Sequence, residues 1–284
     1  MREFASVHAL RAWLRGRRAE GRQVGFVPTM GALHEGHLRL VDESRRRADV
    51  TVMSIFVNPL QFGPGEDLAR YPRPIEGDRL LASARGVDAL FLPEVAEMYP
   101  PGAATRVVPG PAAERWEGAA RPGHFAGVLT VVAKLFHIVQ PDLACFGQKD
   151  WQQATLVRQM ARDLDFPLEV VVVPTVREPD GLALSSRNVY LDESARAAAA
   201  AIPAALRTVV ERYRAGEAGP DALAAAARAV LGVHPGVAAE YIAVMDPVTL
   251  EPVTRAGDGT VVAIAARVGS TRLIDNVILG QGIG

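Results

Sequence analysis

Apolar runs alternate with amphipathic stretches over the first two thirds of the chain. VGFV (24–27) is a short buried strand by this pattern, ended by Pro28, and a helix is expected to start near Glu35 and to carry Leu38, Leu40 and Val41 inward. DVTVMSIFV (49–57) reads as a second strand, closed by Asn58-Pro59, and GVDALFLP (86–93) as a third. HFAGVLTVVAKLFHIV (124–139) has helical spacing and stops before Pro141. DLACFG (142–147) is strand-like, KDWQQATLVRQMARDL (149–164) is an amphipathic helix, and LEVVVVPTV (168–176) is another strand. Apolar strands alternating with helices predict a parallel sheet covered on both faces, with right-handed crossovers and ligands at the carboxyl ends of the strands. PTMGALHEGH, NPLQF, GQKD and PTV each follow a predicted strand, so all four are expected at one edge of that sheet.

The pattern changes after about residue 180. Residues 193–233 read as two Ala-rich helices broken by GEAGP, with Leu, Ile and Val supplying a packing stripe. AEYIAVMDPVTLEPV, GTVVAIAARVG and TRLIDNVIL then read as strands joined by turns. The expected fold is α/β: a Rossmann-like parallel-sheet domain over 1–175 and a smaller C-terminal α+β domain over 176–284, the boundary falling within 174–187. No internal repeat is present.

Composition narrows the function classes. The formal net charge of −1 offers no global basic field for nucleic acid or anionic lipid. No uncharged run approaches the roughly 20 residues that span a bilayer, and the N-terminal stretch lacks a signal-peptide pattern, so a cytoplasmic protein is expected. The single cysteine, Cys145, lies in an apolar run and reads as a small buried hydrophobe. Only Lys134 and Lys149 are lysines among 31 cationic residues, so a lysine here either marks a position where a compact point charge is wanted or stands there by chance.

LHEGHL places His34 and His37 three residues apart at a strand-to-helix corner. A metal site of the H-E-x-x-H kind needs spacing of four, whereas the spacing here is three, and no third His or Cys ligand stands close in sequence. One capping and one surface histidine remains an open reading. So does phosphate binding: Gly31 permits a tight turn, Gly36 lets a ligand approach the first turn, and imidazoles there can donate to phosphate oxygens. Lys149 opens a helix after a strand, with Asp150 at the positive helix end and Gln152 and Gln153 as uncharged hydrogen-bonders. LSSRN (184–188) offers two hydroxyls and a guanidinium beside the domain boundary, as a phosphate clamp or as a polar linker. Asn58 and Gln61 share a loop after a strand, and His124 opens a helix.

Taken in order, VPTMGALHEGHLRLV, SIFVNPLQFG, YPR, GHFAGVLTVVAKLF, FGQKDWQQ and LALSSRNVYL resemble the pantothenate synthetase (pantoate–β-alanine ligase) family, within the wider H-x-G-H nucleotidyltransferases; RLIDN near the end fits too. The resemblance implies an ATP-dependent ligase. Pantoate's carboxylate attacks the α-phosphorus of ATP to give pantoyl adenylate and pyrophosphate, and β-alanine then displaces AMP. It implies an ATP site of Met30, Gly31, Ala32, Leu33, His34, Glu35, Gly36 and His37, with His37 as acid at the phosphates. Gly147, Gln148, Lys149 and Asp150 would hold ribose and phosphates, Val176 the adenine through its backbone, and Leu184, Ser185, Ser186 and Arg187 would close over the triphosphate. Gln61 and Gln153 would bind pantoate, with Asn58 and His124 in the same pocket. The first domain would then bind nucleotide and pantoate and the second act as a lid. Mg²⁺ accompanies ATP, its protein ligand left open near Glu76 and Asp78, and a homodimer is implied. Leu60 departs from the Met expected in many relatives. A plain nucleotidyltransferase and a nucleotide-binding regulatory module without turnover are the alternatives; the neutral NPLQF and Gln153 suit hydroxyls better than a phosphorylated acceptor.

Overall fold

Six strands pair in parallel to form the sheet that the alternation predicts. A computed structural model describes residues 1–283 and groups the chain into two compact units. The first comprises 1–114, 118–147 and 153–173. Its strands are β1 (Arg2–Phe4), β2 (Val24–Thr29), β3 (Val50–Ile55), β4 (Ala89–Phe91), β5 (Leu143–Gly147) and β6 (Glu169–Val173), in the order β1-β4-β3-β2-β5-β6. The chain runs outward from β2 through β3 to β4, then returns to β2's other side with β5. The order therefore reverses between β2 and β5, which puts the ligand-binding crevice of such a sheet at Thr29 and Gly147, where those strands end.

The longer helices of this unit are α1 (Val7–Ala19), α2 (Glu35–Arg47), α3 (Ile75–Ala84), α4 (His124–Val139) and α5 (Trp151–Asp163). Leu40 and Val41 of α2 pack on Val27, Met53, Leu90 and Cys145 of the sheet. Close approach of α2 to β2 requires Gly25, where a Cβ would stand 2.2 Å from Ser44 Oγ. Cys145 is buried, and burial pushes its thiol up to about 12, as suits a packing residue. Pro28 lies inside β2, paired opposite Ser54, rather than ending it. The ladder to β5 stops at Phe26, so the proline's missing N–H falls where that side no longer needs a donor. Elements outside the expected set include β1, only three residues long, and α1 and α3, which interleave charged with apolar positions.

The second unit comprises 174–284 together with 115–117 and 148–152. Its antiparallel sheet is β7 (Val237–Met245), β8 (Val261–Val268) and β9 (Thr271–Ile278). Three helices cover it, α6 (Glu193–Ala199), α7 (Ala201–Arg214) and α8 (Pro220–Gly232), instead of two. The extra break falls at Ala200, because Pro203 has no N–H to continue α6 through that turn. Ile202, Leu206 and Val209 of α7 and Leu223 of α8 share a core with Val262, Ile264, Leu273 and Val277. The two short earlier stretches are locked into this unit by polar contacts. Arg272 forks onto both oxygens of Glu117 at 2.7 Å, Tyr241 Oη donates to Glu117 Oε1 at 2.9 Å, and Trp116 Nε1 donates to the Leu250 carbonyl at 3.0 Å. Gln152, itself buried, accepts from Glu117 N–H at 3.1 Å and donates to the Arg115 carbonyl at 2.9 Å.

Candidate active site

After β2 the backbone turns through two left-handed residues, Gly31 (φ +85°) and Ala32 (φ +50°). Thr29 Oγ1 accepts from Gly31 N–H at 3.2 Å and donates to the Ser54 carbonyl at 2.8 Å. From α3, Asp78 reaches the same turn: Oδ2 accepts from Ala32 N–H at 2.9 Å and Oδ1 from Leu33 N–H at 2.7 Å. Burial pushes the Asp78 carboxyl above its ordinary value, against these two amides, which favour the charged form. A Cβ on Gly31 would stand 2.9 Å from both Asp78 Oδ2 and Ile55 Cγ2, so glycine is required by space as well as by φ.

The turn delivers His34 to the N-cap of α2. His34 Nδ1 accepts from Gly36 N–H at 3.1 Å, and His37 Nδ1 accepts from His34 N–H at 3.3 Å, a reciprocal cap built from two imidazoles whose centroids are 4.1 Å apart. An Nδ1 that accepts leaves a neutral ring with its proton on Nε2. Capping and anion recognition are therefore compatible: one nitrogen of each ring serves the helix, and the other is an N–H donor. Glu35 is held by Arg85, which donates to Glu35 Oε1 at 2.6 Å and also grips Asp42.

Asn58, Gln61 and His124 come together in the same unit. Gln61 Nε2 donates to Met30 Sδ at 3.1 Å, and its Oε1 accepts from Asn58 Nδ2 at 3.0 Å. Asn58 is fully engaged, donating also to the Gly127 carbonyl at 3.1 Å and accepting from Tyr99 Oη at 2.8 Å. Burial pushes the Tyr99 hydroxyl up to about 12, so it remains a donor. Gly127 permits the arrangement, since a Cβ there would lie 2.1 Å from the Leu60 carbonyl oxygen. His124 Nδ1 donates to the Gln61 carbonyl at 2.8 Å, and its Nε2 accepts from Arg121 at 3.0 Å. Arg121 in turn forms a bidentate pair with Glu66 at 2.6 and 2.8 Å and holds that carboxyl below the usual carboxylate range. His124 thus braces the turn carrying Gln61. Gln153, at the start of this unit's last segment, is half-buried. A cleft of about 760 Å³ opens beside Met30, Phe56, Val57 and Asp78 at the carboxyl ends of β1, β3 and β4.

The other sequence-predicted residues, Gln148 to Asp150, Val176 and Leu184 to Arg187, belong to the second unit. Gln148–Asp150 forms one 3-10 turn ahead of α5. The Val176 carbonyl accepts from Leu184 N–H at 2.9 Å, which ties the predicted adenine contact to the start of LSSRN. Ser185 caps the following turn, its Oγ accepting from Arg187 N–H at 3.2 Å. Asn188 Nδ2 holds that turn to Glu178 Oε1 and the Ala183 carbonyl at 3.0 and 3.2 Å. Sequence reasoning overlooked Tyr99, Arg121, Gly127 and the backbone-holding role of Asp78. Each acts through a partner distant in sequence, and nothing local marks it.

The pantoate-beta-alanine ligase family model matches residues 2–278. The chain belongs to that family. The pantothenate synthetase of Chloroflexus aurantiacus is 57% identical over 91% of this chain and 93% of its own length, and that of Trichlorobacter lovleyi is 49% identical over 99% of both. Among solved structures, pantothenate synthetase from Thermus thermophilus superposes with a TM-score of 0.93 at 52% identity, covering 98% of this chain and 99% of that one. Pantoate-beta-alanine ligase from Francisella tularensis, complexed with beta-gamma ATP and beta-alanine, gives a TM-score of 0.80 at 31% identity over the full length of both chains. The ligase-family chain is thus an AMP-forming carbon–nitrogen ligase that condenses pantoate with β-alanine at the expense of ATP. No helix among its described residues is long and apolar enough to cross a membrane.

Proposed function

We propose that the residues assembled above divide the two half-reactions as follows. In the first, the pantoate carboxylate attacks the α-phosphorus, and negative charge grows on the phosphorus oxygens and on departing pyrophosphate. His34 and His37 meet that charge with Nε2–H donors, Lys149 supplies a point charge, and Ser185, Ser186 and Arg187 close over the triphosphate. Met30 to His37 line the ATP site, Gly147 to Asp150 hold its ribose and phosphates, and Val176 contacts the adenine through its backbone. Gln61 and Gln153 read the hydroxyls and carboxylate of pantoate, while Asn58 and His124 hold Gln61 in place. In the second half-reaction the amine of β-alanine, entering beside Gln61, attacks the acyl carbon and AMP leaves. The observation that carries this reading is the placement of the imidazoles: both rings sit at the first turn of α2, each with its Nδ1 tied to a backbone N–H there.

Mg²⁺ enters with the nucleotide in this proposal. No group of three or more His, Cys, Asp or Glu that could hold a metal occurs among the described residues, and both oxygens of Asp78 already accept amide protons. Phosphate oxygens and water would supply much of the ion's coordination. The unit carrying LSSRN serves as a lid that keeps water from the adenylate, and the chain works as a homodimer in the cytoplasm; sedimentation velocity with and without ATP checks the assembly and the compaction.

Incubation with ATP, Mg²⁺ and pantoate tests the division of labour. Without β-alanine, pyrophosphate appears in a burst of about one equivalent and AMP stays bound as the adenylate; adding β-alanine releases AMP and gives turnover. Rapid AMP release without the amine would refute the sequestered intermediate.

A further inference from the structure

The RLIDN stretch ends on β9 in Asp275 and Asn276, side chains only 2% exposed that the scheme above leaves without a task. Asp275 is satisfied by Arg177, which forks onto its two oxygens at 2.6 and 3.0 Å; Arg177 also donates to the Gly181 carbonyl. Asn276 does something different. Its amide nitrogen donates to the carbonyls of Gln148 and Lys149, both at 2.9 Å, and its Oδ1 accepts from Gln148 Nε2 at 3.4 Å. Its own backbone N–H donates to Asp275 Oδ1 at 2.8 Å, which fixes the strand where the amide departs. One buried primary amide therefore holds two consecutive peptide groups of the Gln148–Asp150 turn, from 127 and 128 residues away.

Those two peptide groups flank the α-carbon of Lys149. Rotating either would swing a four-carbon stem and move its ammonium by ångströms. The lysine's charge is close enough to bear on the Asp275 carboxyl. We propose that Asn276 is a positioning residue: by fixing the peptide groups on either side of Lys149 it delivers the lysine ammonium to the nucleotide phosphates during adenylation. This rests on the phosphate role of Lys149 proposed above.

A double-mutant cycle on the full-length enzyme tests it, with pantoate-dependent pyrophosphate release as the readout. Asn276→Ala is expected to lower kcat/KM for ATP by about 10–100-fold, the cost of displacing a charged group by about an ångström, while KM for β-alanine stays unchanged. In a Lys149→Ala background the same substitution is expected to cost less than about 3-fold, since a residue that acts through another has nothing left to position. Asn276→Ser, whose hydroxyl can still serve one carbonyl, should show a smaller loss with the same coupling, and it keeps the test available should the alanine variant fold poorly. Losses that multiply in the double variant would overturn the proposal, as would Asn276→Ala with full adenylation activity beside an impaired Lys149→Ala. A fully active Lys149→Ala would instead remove the lysine's own role, a failure distinguishable because it appears in the single variant.

Discussion

Removing Asp78 should loosen the histidine corner without touching a histidine. Its carboxylate accepts two backbone N–H groups, from Ala32 and Leu33, and Leu33 is buried. Hydrogen bonds to a charged group are worth about 1.5–3 kcal/mol each, so the gross loss in Asp78→Ala is about 3–6 kcal/mol. Part is returned, because burial of this carboxylate is itself unfavourable, as its raised pKa shows. A net destabilisation of about 2–4 kcal/mol is expected. Asp78→Asn preserves the shape but sets an NH₂ against one of the two amides, and should cost about 1–3 kcal/mol. The cost should fall on the turn, since Ala32 is held at φ +50°, a conformation that an unbraced alanine leaves readily. The assay is amide hydrogen exchange at Ala32 and Leu33, paired with single-turnover pyrophosphate release. Protection at both amides should drop by about 30-fold or more, and adenylation should slow by about 10-fold or more as His34 and His37 lose their placement. Unchanged protection at Leu33 together with a rate within twofold of the parent would refute the bracing argument.

Three further outcomes are expected. His37→Ala should lower kcat by about 10²–10³-fold, the loss of one transition-state donor, and cost only about 0.5–2 kcal/mol of stability from the helix cap; near-normal kcat in steady-state assays would remove it from the mechanism. Gly127→Ala should raise KM for pantoate and destabilise by about 1–3 kcal/mol, because its Cβ would meet the Leu60 carbonyl at 2.1 Å; an unchanged KM and thermal midpoint would contradict that packing. Arg121 depresses the pKa of Glu66, so the pair's contribution is complete above the ordinary Glu value of about 4.3 and is lost as pH falls through the lower folded-state value. Urea denaturation from pH 7 to pH 3 should therefore show a fall in stability below about pH 4 that Glu66→Gln flattens, and superimposable profiles would argue against it.

Much of the first unit is legible in short windows. α2 begins at Glu35 and α4 spans His124–Val139, where periodicity and flanking residues put them. The strands β2, β3, β5 and β6 are close to their apolar runs because burial on both faces demands such runs. Short or mixed elements escape this reading: β1 has three residues, α3 interleaves charged with apolar positions, and Pro203 splits a helix that alanine content alone would continue. The histidine corner was visible as residue types at a spacing, and as a family likeness. That each imidazole caps the helix through Nδ1 was not, since the tautomer follows from which backbone N–H each ring meets.

Local order along the chain determined the alternation of strands and helices, the order of the motifs, and the chemistry those motifs carry. Which group braces them was decided only by tertiary structure. Asp78 reaches amides 45 and 46 residues away, and Asn276 reaches carbonyls 127 and 128 residues away. The physical reason is range: helix and strand patterns arise from neighbours within a few residues, whereas a buried donor or acceptor must find its partner wherever the folded chain brings one within about 3 Å.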